Sequence, residues 1–303
     1  MHRMHVPPPL RTLLHGAIDY AGLFPPAALD MRGAAARYAE YRVSDDRWAL
    51  GRFVVPALRL EELARAIVGL GRDAAAPAWP LSVLLGDDPA ADAARIAAHA
   101  AASATTRVES LEAKVASASD VRRVRDAFPA AREVYLEVPA GADPRPLVEA
   151  IGAAGARAKI RTGGVTAAAV PEVATVVRFL AACVAIGVPF KATAGLHHPL
   201  RAEYALTYDA GAPRATMHGY LNVFLAAALL ANGAPEQEAA RLLDERDPQA
   251  FEVADDGIRW RGTLLTTEAI GRLRARGATS FGSCSFREPL DDLAALPSLV
   301  RTT

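Results

Sequence analysis

The chain has 303 residues, 51% of them apolar and only 6% aromatic, with 34 basic and 34 acidic side chains and a formal net charge of zero. This length and apolar content suit one large α/β domain or two small ones, and the balanced charge, without a long basic or acidic run, excludes a nucleic-acid surface. The two cysteines, Cys183 and Cys284, are far apart, which excludes a disulfide framework or a CxxC-type zinc site and fits a reducing cytoplasm.

The N-terminus carries His, Arg and a Pro-Pro-Pro run in place of an apolar signal core. The longest uncharged apolar runs, Phe179 to Phe190 and Val223 to Ala231, are too short to span a bilayer, so no membrane partner is expected. Residues 1–47 read as a helical segment packing on the domain. Arg52 to Pro56 then reads as a strand, followed by a helix from about Leu60 to Leu70. Leu81 to Leu85 is a strand, with a helix from about Pro89 to Ala102. The strand Arg107 to Lys114 precedes the helix Ala118 to Phe128. Glu133 to Val138, Arg157 to Thr162 and Val188 to Thr193 are strands, separated by helices at Pro146 to Ala154 and Ala167 to Ile186. Strands joined in turn by helices predict a parallel sheet with helical crossovers.

Residues 199–250 break this rhythm and read as a mostly helical insertion, with Met217 to Ala231 and Glu236 to Glu245 the clearest helices. The insertion is a candidate lid, or else a packed layer or a homo-oligomer contact. Phe251 to Val253 and Ile258 to Trp260 flank an Asp-Asp-Gly turn, as a hairpin or a seventh strand. A helix Thr267 to Arg276 leads into a last strand, Thr279 to Cys284. Seven or eight strands predict a single α/β domain with a (β/α)8 TIM barrel; a doubly wound open sheet is the alternative.

Only three lysines, Lys114, Lys159 and Lys191, stand against 31 arginines, and each lies near the end of a predicted strand. A lysine amine can be deprotonated and attack a carbonyl; a guanidinium cannot. Alternation sharpens the point. If Val134, Leu136, Ala158, Ile160 and Phe190 face the helices, then Tyr135, Glu137, Lys159, Arg161, Lys191 and Thr193 face inward, as do Glu112 and Lys114. Four strands thus aim charge at one interior near their C-terminal ends, where barrel enzymes place chemistry.

These motifs resemble the deoxyribose-phosphate aldolase group of class I aldolases. Lys159-Ile160-Arg161-Thr162-Gly163 and Lys191-Ala192-Thr193-Ala194-Gly195 are similar to that group's Lys-Thr-Ser-Thr-Gly and Lys-Ala-Ser-Gly-Gly strand ends, at a similar separation. Ile18-Asp19-Tyr20 resembles its Ile-Asp-His start, Phe53 to Pro56 its first strand, Leu136-Glu137 its fourth, and Gly282-Ser283-Cys284-Ser285 its phosphate-binding last strand end. The chain departs from the pattern at Arg161, which replaces a small hydroxyl residue. It departs again at Leu196-His197-His198-Pro199, in the insertion, and in the third-strand aspartate, for which Glu109 and Glu112 compete. The resemblance implies that Lys159 forms a Schiff base, with Lys191 and Arg161 as neighbouring cations and Glu137 or Glu112 moving protons. Lowering a lysine from its free value near 10.4 by ~3 units takes about 4 kcal/mol.

The competing reading of each charged cluster is a satisfied structural ion pair, which for Lys114 is as good as the functional one. His197, His198 and His218 are candidate substrate ligands, His218 sharing a helix face with Asn222. With Glu112, Glu137 or Cys284 the histidines offer a metal-site alternative, but no diagnostic ligand spacing supports it. Thr162, Gly163, Gly195, Gly282 and Ser283 are strand-end residues whose backbone N–H groups can cradle an anion, with Arg161, Arg201 or Arg287 as its partner. Cys284 lacks an evident base. Asp19 and Tyr20 either close the barrel mouth or start a helix. The expected function is an aldolase-type lyase on a small carbonyl compound, with no cofactor and no metal. The alternatives are a metal-dependent isomerase or lyase and a non-catalytic sugar- or anion-binding barrel.

Overall fold

In the computed structural model, which describes residues 4–71, 77–141, 143–296, 299 and 301–302, eight parallel strands close into a barrel. They are β1 (Ile18–Tyr20), β2 (Leu50–Pro56), β3 (Trp79–Leu84), β4 (Thr106–Lys114), β5 (Val134–Glu137), β6 (Arg157–Arg161), β7 (Phe190–Thr193) and β8 (Ala278–Ser283). They pair in that order, and β8 returns to β1. The described helices are α1 (Pro8–Leu14), α2 (Met31–Val43), α3 (Leu60–Gly69), α4 (Pro89–Ala102), α5 (Ala118–Ala127), α6 (Arg145–Ala153), α7 (Val173–Ile186), α8 (Tyr220–Ala231), α9 (Glu236–Asp244), α10 (Thr267–Arg276) and α11 (Arg287–Ala294). The (β/α)8 barrel is the fold, and the open sheet is excluded by the β8–β1 pairing.

Strand and helix boundaries follow ordinary chemistry. The β5 run Val134, Tyr135 and Leu136 is wholly buried, as expected of a strand covered on one face by helices and filled on the other by barrel side chains. Asp88 starts α4 by accepting from the N–H groups of Ala90 and Ala91, both at 3.0 Å, and Ser117 and Thr266 cap α5 and α10 in the same way. Ten consecutive residues of α8, Tyr220 to Leu229, are buried, so this helix, apolar on every face but at Asn222, lies inside the protein. Tyr220 stacks on Phe281 of β8 with ring centroids 5.0 Å apart.

Four expectations need correction. The eighth barrel strand is β1, from the N-terminal segment, whose residues 1–3 lie outside the described residues. Of the two readings of residues 251–260, the hairpin holds and the seventh barrel strand does not. Phe251–Ala254, Gly257–Trp260 and Thr263–Thr266 form a separate antiparallel sheet, because an Asp-Asp-Gly turn reverses the chain, whereas barrel neighbours need a crossover. The insertion opens with an antiparallel hairpin, Ala202–Ala205 with Arg214–Met217, and helix begins only at Tyr220. Finally, Ala167 to Ile186 is not one helix. A 3-10 turn at Ala167–Ala169 is separated from α7 by Pro171, which cannot donate to a continuing ladder. This segment has the length and apolar content of a membrane span, but Val176, Val177, Phe179, Leu180 and Cys183 of α7 are buried in the core, and Phe179 meets Phe190 of β7 edge to face.

Candidate active site

Parallel register places Glu137, Lys159 and Lys191 side by side across β5, β6 and β7. Neighbouring strands are about 4.8 Å apart, so two ammonium groups here would repel without a counter-charge between them. Glu112 of β4 supplies it. Its Oε2 lies 2.7 Å from Lys159 Nζ and its Oε1 2.7 Å from Lys191 Nζ. Lys159 also meets Glu137 Oε2 at 2.9 Å, and Lys191 meets Asp19 Oδ2 at 2.6 Å. Arg161 stands 3.6 Å from Glu137 Oε1 at the half-exposed rim. Three carboxylates therefore face three cations.

Uncharged groups hold this ring in place. Ser82 Oγ donates to Glu112 Oε1 at 2.5 Å and is itself contacted by Ser110 at 2.7 Å. Asp19 accepts from Ser280 Oγ at 2.8 Å and from the Arg52 backbone N–H at 2.8 Å. Tyr135 forms the floor, its ring 5.3 Å from Lys191 Nζ. Burial alone would raise Glu112, but Lys159 and Lys191 more than offset it and hold the carboxyl far below its ordinary range. Burial also opposes ionisation of Glu137, and Lys159 again prevails and lowers it. Burial would lower Lys191, yet Asp19 and Glu112 raise it well above an ordinary lysine. Lys191 therefore stays an ammonium at neutral pH.

A cavity of about 250 Å³ opens over this ring. Lys159, Lys191, Glu112, Arg161, Thr193, His197, His198 and Gly282 line it. Of the two competing glutamates on β4, Glu112 lines the cavity, while Glu109 pairs with Arg52 and Arg107. Three residues apart on one strand puts the two about 10 Å from each other. The lysines, Glu112, Glu137 and Asp19 are brought together. Lys114 is exposed and acts on the ring only through its charge, which helps to lower Glu137.

Other candidates lie elsewhere. Thr162 is buried and its hydroxyl donates to the carbonyls of Thr193 and Ala194, tying the β6 loop to the β7 loop. His218 is also buried, its Nε2 2.8 Å from the Pro171 carbonyl and its Nδ1 3.2 Å from Arg201. Desolvation lowers it to about 4. Asn222 bonds the backbone of Arg201, Leu242 and Glu245. His218 and Asn222 therefore brace the insertion rather than face the cavity. Arg201 pairs with Asp244, and Arg287 with Asp46 and Asp291.

A second polar cluster on the cavity wall was not legible in the sequence. Tyr208, at the tip of the 202–217 hairpin, donates to Glu288 Oε2 at 3.0 Å and touches Cys284 Sγ at 3.4 Å. His197 Nδ1 is 3.3 Å from Glu288 Oε2, 3.1 Å from Ser283 Oγ and 3.8 Å from Cys284 Sγ. Burial would lower His197, but Cys284 and Glu288 raise it to about 9. Burial would raise Cys284, but the neighbouring His197 lowers it. His198 pairs with Asp292 at 2.5 Å and stacks on Tyr204. Among the described residues no group of three or more His, Cys, Asp or Glu is arranged to hold a metal. A scan of family models and a search of curated proteins return no match.

Proposed function

We propose that the protein is an aldolase-type carbon–carbon lyase that forms a Schiff base between Lys159 and a small aldehyde or ketone. The observation that carries this reading is the pair of buried lysines bridged by one carboxylate beneath a cavity at the C-terminal barrel mouth. The two amines are not equivalent. Lys191, between Asp19 and Glu112, is held as a cation, which suits it to stabilise developing negative charge. Lys159 contacts Glu137 at 2.9 Å. Glu137 is held ionised at rest, and as a carbonyl compound displaces water from the cavity a proton passes from Lys159 to it, leaving a neutral amine and a neutral acid. The amine then attacks the carbonyl carbon, and Glu137 returns the proton to the leaving water as the imine forms. Glu137, ionised again, takes the proton of the substrate hydroxyl on the far carbon of the bond to be cleaved. That oxygen becomes the carbonyl of the first product, and the electrons of the broken carbon–carbon bond pass into an enamine on Lys159. Return of the proton to the enamine carbon restores the imine, and addition of water releases the second carbonyl product and the free amine. Freed amine therefore comes from transfer within a balanced ring and not from crowding by surplus cations. Two free cysteines, both buried, agree with a cytoplasmic location.

Borohydride trapping with acetaldehyde, pyruvate and dihydroxyacetone, followed by peptide mass mapping, tests the proposal. A reduced adduct on Lys159 that is lost in Lys159→Ala is expected. An adduct on Lys191 would exchange the two roles. Absence of any adduct across a broad carbonyl panel would overturn the reading.

A further inference from the structure

We infer that the Tyr208, His197 and Glu288 pole of the cavity is a subsite for an uncharged hydroxyl group, so that the substrate is an unphosphorylated hydroxy-aldehyde or hydroxy-ketone. This rests on the Schiff-base reading, because it assigns the end of the substrate remote from Lys159. Barrel enzymes that hold a phosphate commonly do so at the ends of the last two strands and a following short helix. Here the polar side chains that would take a phosphate at the end of β8 are already engaged. The Tyr208 hydroxyl and His197 Nδ1 both lie on Glu288 Oε2. The Ser283 hydroxyl is on His197. The Ser285 hydroxyl caps the Glu288 N–H at 3.1 Å, and Arg287 turns away to Asp46 and Asp291. Arg161, the arginine at the rim, faces Glu137.

What this pole presents instead is a carboxylate. Burial would raise Glu288, but His197 and Tyr208 offset it and keep the group ionised. His197 already neutralises this carboxylate across 3.3 Å, so a phosphate dianion could gain the imidazolium only by breaking the pair and leaving Glu288 beside it without its counter-charge. A hydroxyl meets the opposite situation. An ionised carboxylate offers about four acceptor positions, and the contacts with Tyr208 and His197 both fall on Oε2, so Oε1 can accept from a substrate O–H. Phe24, Val54, Leu84, Leu206 and Met217 also line the cavity and give it an apolar wall. The volume of about 250 Å³ suits a compound of a few carbons.

Matched compounds with and without phosphate test the inference: glyceraldehyde against glyceraldehyde 3-phosphate by borohydride trapping, and glycerol against glycerol 3-phosphate by calorimetry. The glycerol pair binds without forming an imine. In the intact protein the free member of each pair is expected to be preferred by about tenfold or more. Glu288→Gln, which keeps the shape, should shrink that preference by roughly tenfold. Tyr208→Phe, on an exposed hairpin tip and so harmless to folding, should weaken the free member and leave the phosphorylated one unchanged. Equal or tighter binding of the phosphorylated members overturns the subsite, and so does an unchanged preference in Glu288→Gln. If no carbonyl is trapped while glycerol still outbinds its phosphate, the Schiff-base reading fails and the subsite stands.

Discussion

Glu112 shows how one side chain can decide a site. It is buried, and it separates two ammonium groups by giving one oxygen to each. Glu112→Gln removes the charge and leaves two buried cations facing one another. Breaking a buried pair in this way costs about 3–5 kcal/mol, so the urea midpoint should fall by a corresponding amount and trapping on Lys159 should be lost. The histidines make a second residue-scale prediction. His197 is raised to about 9 and His218 lowered to about 4, from an ordinary 6.5. Between pH 6.5 and 9 the folded protein keeps a proton on His197 that the unfolded chain has released, so stability falls as pH rises. Between pH 6.5 and 4 the unfolded chain protonates the histidine that the folded protein keeps neutral as His218, so stability falls as pH drops. Each limb is worth on the order of 3 kcal/mol, and stability should peak near pH 6.5. Chemical denaturation across this range, with His197→Gln flattening the alkaline limb and His218→Gln the acid one, checks the assignment. Protonation of Glu112 and Glu137, both lowered, adds a further loss as pH falls below about 4.5.

At the scale of elements, the site depends on how closely the β6 and β7 loops approach. A Cβ on Gly163 would lie 2.9 Å from the Gly195 Cα, a backbone atom that cannot swing aside. Gly195 itself has φ +77°, which favours glycine. Gly163→Ala should therefore push the loops apart, costing about 1–3 kcal/mol and weakening carbonyl trapping more than it weakens the fold. The same substitution at Gly187, whose added Cβ meets open space, serves as a control for φ strain alone. Helix caps are a milder test. Asp88→Ala removes two accepted bonds at the start of α4 and should cost about 1 kcal/mol, with trapping on Lys159 unchanged. The 202–217 hairpin is the element that supplies Tyr208, and its sequence gave no sign of this, since an Asp-Ala-Gly turn marks a reversal but not what the tip will touch.

At the scale of the whole molecule, Asp19 links the two ends of the chain. It lies on β1, pairs with Lys191 of β7, accepts from Ser280 of β8 and from the Arg52 N–H of β2. Asp19→Ala should therefore act on barrel closure, lowering stability by about 3–5 kcal/mol. Hydrogen exchange should then show early opening at β8 and β1 while β3 to β6 stay protected. Much of the architecture was readable because it rests on local pattern. Period-two alternation in Val134 to Glu137 and Arg157 to Arg161, set between apolar helices, dictated which side chains turn inward, and the scarcity of lysine singled out Lys159 and Lys191. The choice of Glu112 over Glu109, the role of Ile18 to Tyr20 as a barrel strand, and the exclusion of residues 251–260 from the barrel were decided only in the tertiary structure. Strand pairing and carboxylate partners depend on residues far apart in the chain; Lys191 and Asp19 are separated by 172 positions. The Tyr208, His197 and Glu288 cluster belongs to the same class. Its members come from a hairpin, a loop and a terminal helix, and no spacing along the chain encodes their meeting, because only closure of the barrel brings the three within hydrogen-bond distance.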